Sequence, residues 1–531
     1  MINILLFSCA RVGAPNGGTR DSLAPKFLGS NIDTTRLNVS RTVKELRLDF
    51  DEYVMLKDFN KNFNVSPPIK KIKKVIPSNL ANKYVLIQWE DTLQANTTYN
   101  FNFGNAIVDN NESNPLPYFN FAFSTGDKID DLFVSGTVKD AMTLIKENQT
   151  AKDNKMVVGL YKAGENLDYK QKPDYITKVD EENYFELNFL PKGEFVIIAF
   201  DDENQNSVYD AGKEKVSFLK EKITLDSTSV RGLKLKLYPS KKVVKYKESK
   251  AINGGLLMTF EGNPETVEVK SLSEDLKDFK VTHAKRSDSV NIWFDAEKSN
   301  LGGTVSKQLK LSYFTPTISD TISVSYKAVK DEFKLSNEAG NLIAPENNFV
   351  INTSLPIENL NTSSWKLESD SIAQDFTAKI SEKNPFKILV NSSFKPTKKY
   401  VLTIPKETVS SYYSSNDKSF QFQFEIDKPE NYGSFTAVIK NKPTAKFWVE
   451  LTNEKGEILY SQFTNASEVS FKNLKPATYI ARIRVDNNGN GFWDEADFAQ
   501  NIAAEDVYIF EKEINVRPLW EIKEDWELTN R

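Results

Sequence analysis

The pattern Asp-x-Asn-x-Asn-x-x-aromatic-Asp occurs twice, as Asp202-Glu-Asn204-Gln-Asn206-Ser-Val208-Tyr-Asp210 and as Asp486-Asn-Asn488-Gly-Asn490-Gly-Phe492-Trp-Asp494. Each copy follows an apolar run, Phe195–Phe200 and Tyr479–Ile483. Leu190 and Leu474 each stand twelve residues ahead of the first Asp of their loop. A match held at fixed spacing over this length points to a duplicated β-module whose strand ends in an oxygen-rich loop.

Such loops suit a hard cation. An EF-hand-type loop takes oxygens from positions 1, 3, 5, 7, 9 and 12, with Gly at position 6 for the bend. The second loop places Asp486, Asn488, Asn490, the Phe492 carbonyl, Asp494 and Asp497 there, with Gly491 at the bend. The first is the weaker candidate: Asp202, Asn204, Asn206, Val208 and Asp210 match, but Ser207 replaces the Gly and Lys213 stands at the last position. The expectation is a structural Ca²⁺ site on a β frame. The competing reading is a plain polar turn, since Asn, Asp and Gly tolerate left-handed backbone and bond to their own main chain.

Strand signals dominate the rest of the chain. Leu46, Leu48 and Phe50 alternate with charged residues, and Phe119-x-Phe121-x-Phe123 and Phe420-x-Phe422-x-Phe424 show the same period of two. No sustained helical period is present, so the fold class is all-β: serial Ig-like and transthyretin-like sandwiches, beads on a string with an internal duplication. A second repeat supports this. Ile87, Trp89, Leu93 and Tyr99 precede one Phe-rich strand as Ile388, Val390, Phe394 and Tyr400 precede the other. The expected order is a signal peptide (1–8), a tether (9–30) and an Ig-like domain (31–127). A sandwich with an Asp/Asn loop (128–240) and a central β unit (241–330) follow. A second Ig-like domain (331–428), a second loop sandwich (429–521) and a tail (522–531) complete it.

At 531 residues, 39% hydrophobic and 12% aromatic, the chain can bury several cores. Its net charge of −4, from 69 basic and 73 acidic residues, argues against general polyanion binding. Lys241–Lys247 and Lys70–Lys74 therefore read as linker or edge-strand lysines, which discourage pairing with other chains.

Catalytic signatures are weak. His283, the sole histidine, reads as a surface residue, which leaves no His-based metal cluster and no spare triad members. No phosphate-binding glycine pattern occurs. Seven Asp-Ser or Asp-Thr pairs, with acceptors Ser22, Thr34, Thr92, Ser227, Ser289, Thr321 and Ser371, resemble an O-glycosylation motif of some Gram-negative envelope proteins. Asp-Ser and Asp-Thr are equally good turn pairs, and on either reading the hydroxyls face solvent.

Cys9, the only cysteine, ends the run Leu5-Leu-Phe-Ser8-Cys9, which resembles a bacterial lipoprotein signal peptide with the Cys as the lipidated residue. Leu46-Arg-Leu-Asp-Phe-Asp-Glu-Tyr-Val54 and Asn96-Thr-Thr-Tyr-Asn-Phe-Asn-Phe-Gly104 resemble the bacterial Ig-like domain of surface-layer proteins. The chain as a whole is similar to Gram-negative lipoproteins that carry such domains. The lipid anchor, the serial β-domains and the missing catalytic set together point to a non-enzymatic outer-membrane lipoprotein that acts as an interaction scaffold, with an accessory subunit of an outer-membrane barrel complex as one form of that role. That reading places the lipid anchor in the outer membrane, on the periplasmic face or the cell surface, with an envelope protein partner and no nucleic acid. The alternatives are a glycan-binding or adhesion module, signalled by aromatics near Trp493 or Trp520, and a carboxylate-based hydrolase.

Overall fold

The computed structural model describes residues 21–144, 155–164, 167–329 and 331–528. Cys9 and the Gly-rich segment after it lie outside them. Among the described residues the regular secondary structure is almost entirely β-strand, and no helix is long and apolar enough to cross a membrane. It divides into two compact units. The first holds the described residues up to Leu237 except 140–144 and 211–215, which belong with the second.

Unit 1 contains two sandwiches. In the first, one sheet runs Phe27–Ser30, Glu45–Leu56, Asn82–Trp89, Ile72–Ile76, and the other runs Asn64–Ser66, Thr98–Gly104, Phe119–Ser124. Leu46, Leu48, Val85, Ile87, Phe101 and Phe123 meet between them without solvent exposure. Phe27–Ser30, expected to belong to the tether, is instead a strand of this sandwich. Phe27 packs its ring against Phe50, Phe119 and Phe121, and its strand pairs with Glu45–Leu56. The second sandwich has sheet orders Tyr184–Leu190, Leu132–Asp140, Val230–Leu237 and Tyr175–Lys178, Met156–Lys162, Gly193–Asp201, Val216–Phe218.

Unit 2 contains three sandwiches with separate hydrophobic clusters, spread over Leu256–Tyr326, Phe333–Ile426 with Trp293, and Phe435–Leu528. The expected polar tail from 522 is instead a strand. Glu521–Glu527 pairs in parallel with Gly433–Lys440, and Trp526 is buried against Phe510. The charges of Glu521, Lys523, Glu524, Asp525 and Glu527 mask an alternation in which Trp526 points inward.

Both duplications appear as geometry. In the Ig-like pair, Tyr99 stands opposite Phe123 as Tyr400 stands opposite Phe424. Each tyrosine hydroxyl accepts the backbone N–H five residues upstream, Gln94 and Lys395, at 2.8 Å. In the loop pair, the C-terminal sandwich orders its strands Glu468–Leu474, Gly433–Lys440, Glu521–Glu527 and Ile458–Thr464, Phe447–Thr452, Ala477–Val485, Val507–Val516. This matches the order in unit 1 strand for strand.

Candidate functional site

The two Asp/Asn loops close with the same hydrogen bonds. Asp202 accepts from the Asn206 and Ser207 N–H groups at 3.0 Å. Asp486 does so from Asn490 at 3.0 Å and Gly491 at 2.9 Å. Asn204 and Asn488 each accept from the residue two further on and donate their amide N–H to the closing carboxylate, Asp210 at 2.6 Å and Asp494 at 2.5 Å. Asn206 accepts from Val208 N–H, and Asn490 from Phe492 N–H. The bend requires left-handed backbone, supplied by Gly491 at φ 82° and by Ser207 at φ 62°. Tyr209 packs on Phe200.

This arrangement bears on the expected calcium ligands. Asn488 and Asn490 turn their nitrogens, not their oxygens, toward Asp494. Asp497 sits beyond the loop in a bridge with Ile502 and accepts from the Gln500 N–H. Among the described residues no three or more His, Cys, Asp or Glu side chains gather as a metal cluster. The Asn488 and Asn490 oxygens accept the Asn490 and Phe492 N–H groups, so both amides would have to turn before they could ligand a cation.

Two groups that sequence reasoning missed complete the second loop. Glu505, buried, accepts the Asn488 N–H at 3.2 Å and the Asp494 N–H at 2.9 Å. Arg286, from the central sandwich, meets Asp494 at 2.8 Å and Glu265 at 2.6 Å and lies 4.6 Å from the centre of the Phe492 ring. The guanidinium thus satisfies the charge that a cation was expected to satisfy. No spacing rule links Arg286 to a loop two hundred residues away.

Around this loop lies a cleft of ≈1270 Å³ within unit 2, lined in part by Lys245, Tyr246, Arg286, Arg484, Trp493 and Glu495. Burial would raise the Asp494 carboxyl, but hydrogen bonds from Asn488, Asn490 and Arg286 outweigh it and hold the pKa below its ordinary value. Glu265 is also held low, with burial outweighed by Arg286 and Lys285. Burial pushes Glu495 up, against the attraction of Lys242, Arg286 and Lys241, and it pushes Glu505 up as well. The cleft lining thus combines cations, carboxylates and aromatic side chains.

The other expected positions are scattered. Trp493 donates to the Glu505 carbonyl at 3.1 Å and carries Arg484 at 5.8 Å, so its face is not open. Trp520 is exposed, with Arg517 over one face. His283 is half-buried at a strand end, its ring nitrogen 3.0 Å from the Ser287 carbonyl, and is not the free surface residue expected. Ser22, Thr34, Thr92, Ser227, Thr321 and Ser371 are exposed. Ser289 is half-buried, because its strand lies inside a sheet and its hydroxyl bonds to Asp288.

A family model described as bacterial Ig-like domain matches residues 21–125, so the N-terminal sandwich is a bacterial Ig-like domain. No curated protein matches the chain. Among solved structures, the surface-layer protein SbsC aligns at 11% identity over 93% of this chain and 67% of its own, with a TM-score of 0.15. The Bacteroides ovatus protein SGBP-B of a mixed-linkage glucan utilization locus, in complex with a heptasaccharide, aligns at 9% identity over 73% and 94%, with a TM-score of 0.19. The Bacillus cereus major pilin subunit BcpA aligns at 11% identity over 75% and 99%, with a TM-score of 0.13. At such scores the likeness says nothing of function.

Proposed function

We propose that this protein is a non-enzymatic scaffold of the bacterial cell envelope, tethered to the outer membrane through lipidated Cys9. Its modules hold and orient a protein partner of that membrane, for which a barrel complex is the natural candidate. The observation that carries this reading is the way the modules of unit 2 are joined. Lys241 donates its N–H to the Ala496 carbonyl at 2.8 Å, and Ala496 donates to Pro239 at 3.1 Å. Arg286 ties Glu265 to Asp494. Lys280 reaches Glu358 at 2.6 Å, and the Asn473 side chain donates to the Pro345 carbonyl at 2.8 Å. Backbone bonds and ion pairs thus tie the C-terminal sandwich to the central region as well as to the second Ig-like sandwich, which favours the fixed arrangement within unit 2 that a holding role needs.

The test is purification from detergent-solubilised membranes of cells carrying the tagged chain. A stoichiometric barrel protein is the expected result, and Cys9→Ala should move the chain into the soluble fraction, since stable anchoring rests on the acyl chains. Recovery without partner, together with retention on a glycan array, would replace this reading by the glycan-binding one. In that case exposed Trp520 is the first residue to change. Calcium in the second loop belongs to the proposal only as a stiffener, in competition with Arg286 for Asp494.

A further inference from the structure

The duplication of the loop sandwich supplies an internal control for one surface. In the first copy the edge strand is Tyr175–Lys178, beside Met156–Lys162. Tyr175 packs edge-on against Phe195 at 5.9 Å. In the second copy the edge strand is Ile458–Thr464, beside Phe447–Thr452, and Tyr460 packs edge-on against Tyr479, also at 5.9 Å. The two edges are counterparts in strand order and in this inward tyrosine.

Their outer sides differ. The first edge is covered within unit 1. Ile176 donates its N–H to the Ser66 hydroxyl of the Ig-like domain at 3.2 Å, and Tyr175, Ile176 and Thr177 are buried. The second edge has no such cover: among the described residues no strand pairs with its outer side. Ile458, Leu459 and Phe463 are 45%, 49% and 44% exposed.

An open edge is normally protected by charge, proline or a bulge that turns it away. Residues 458–467 contain no Lys, Arg, Asp, Glu, Pro or Gly. The edge Lys245–Ile252 of the central sandwich, by contrast, carries Lys245, Lys247, Glu248 and Lys250. The one register shift lies at the start of this strand, where Leu451 pairs with Tyr460 and Thr452 with Ile458; beyond it Tyr460–Thr464 runs on regularly with none of these guards, an edge open to pairing.

We propose that this edge pairs with the same edge of a second copy of the chain, antiparallel about a two-fold axis at Ser461, and so joins two four-stranded sheets into one. The segment is self-complementary about that axis. Leu459 of one copy falls opposite Phe463 of the other on the outward face, an aliphatic–aromatic cross-strand pair. Tyr460 falls opposite Gln462 on the inward face, and Ser461 opposite itself. No charge meets a like charge within the strand, and Glu457 at its start falls opposite neutral Asn465. Pairing also carries the outward stack of Phe463 on Trp448, 4.4 Å apart, onto Leu459 of the other copy. A two-fold interface of this kind closes on itself and does not propagate into fibres.

The experiment uses the full chain with Cys9→Ala, which prevents acylation and leaves no other thiol. Sedimentation at up to about 0.2 mM should show a concentration-dependent dimer. Ser461→Lys, which sets like charges opposite each other at the axis, should weaken it at least tenfold, with the melting profile unchanged as the check on folding. Ser461→Cys should cross-link to dimer with a short bismaleimide, whereas Lys512→Cys on the opposite edge of the sheet should not. A monomer at every concentration overturns the proposal. So does a dimer that Ser461→Lys leaves intact, or equal cross-linking at both cysteines. The outcome is independent of the membrane proposal, whose readout is partitioning and partner recovery.

Discussion

Replacing Glu450 should do more damage than its place on an outward-facing strand position suggests. Glu450 is fully buried, and its carboxylate receives four guanidinium bonds. Two come from Arg482 at 2.9 and 2.7 Å and two from Arg484 at 3.0 and 2.5 Å. Arg482 is 7% exposed and Arg484 23% exposed. Removing one member of a buried ionic group leaves the rest uncompensated, at a cost of about 3–5 kcal/mol. Glu450→Ala should fall in that range, toward its lower end, because the Arg484 guanidinium reaches water. A chain with several cores does not unfold in one step, so the effect should be read locally. Hydrogen exchange at the amides of Phe447–Thr452 and Ala477–Val485 should accelerate by about two to three orders of magnitude, at 1.4 kcal/mol for each tenfold. Replacing all three residues together, as Glu450→Leu, Arg482→Met and Arg484→Met, should cost far less, since no stranded charge remains. A Glu450→Ala cost below about 1 kcal/mol would refute the argument. A triple variant less stable than the single one would refute it too.

Other perturbations test the loops. Ser207→Gly should stabilise the first sandwich by about 0.5–1 kcal/mol in local exchange, because Ser207 holds the left-handed angle that Gly491 holds freely; a destabilisation would show that the Ser side chain matters more than the backbone. For the acid limb, the depressed Asp494 and Glu265 carboxyls contribute stability above their unfolded pKa that is lost as pH falls through the folded one. The contacts of Arg286 should therefore loosen only below the ordinary carboxylate range, and Asp494→Asn should reduce that acid step in a pH series of melting curves. Glu495 has the opposite sign. Its raised pKa costs stability at neutral pH that is relieved as pH falls through the folded value toward the unfolded one, so Glu495→Gln should stabilise at pH 7 and change nothing near pH 4. If calcium enters the second loop, a hundredfold excess over Kd adds about 2.7 kcal/mol, and Arg286→Ala should enlarge the melting shift; identical curves in calcium and EGTA for both proteins would exclude it.

The all-β class, the two repeats and the loop chemistry were legible in the residues, because alternation and turn chemistry are local and a duplication doubles their signal. Leu46, Leu48 and Ile87 face the core as their period of two requires. The Asx bonds of Asp202 and Asp486 follow from residues at most five apart. What was not legible came from distant parts of the chain. The same period of two puts Glu450, Arg482 and Arg484 on the outward face and predicts that they meet water; only the pairing of Phe447–Thr452 with Ala477–Val485 sets them against one another and buries them. Phe27–Ser30 and Glu521–Glu527 looked like tether and tail because nothing local shows which sheet edge will accept a strand. Arg286 reaches Asp494 only because the central and C-terminal sandwiches meet there, and it pairs with a carboxylate that spacing alone had assigned to a metal. Local chemistry specifies strands and turns. Which edges are filled, and which charges lose their water, is decided when the sheets assemble, because desolvation and strand pairing depend on neighbours that the linear sequence does not name.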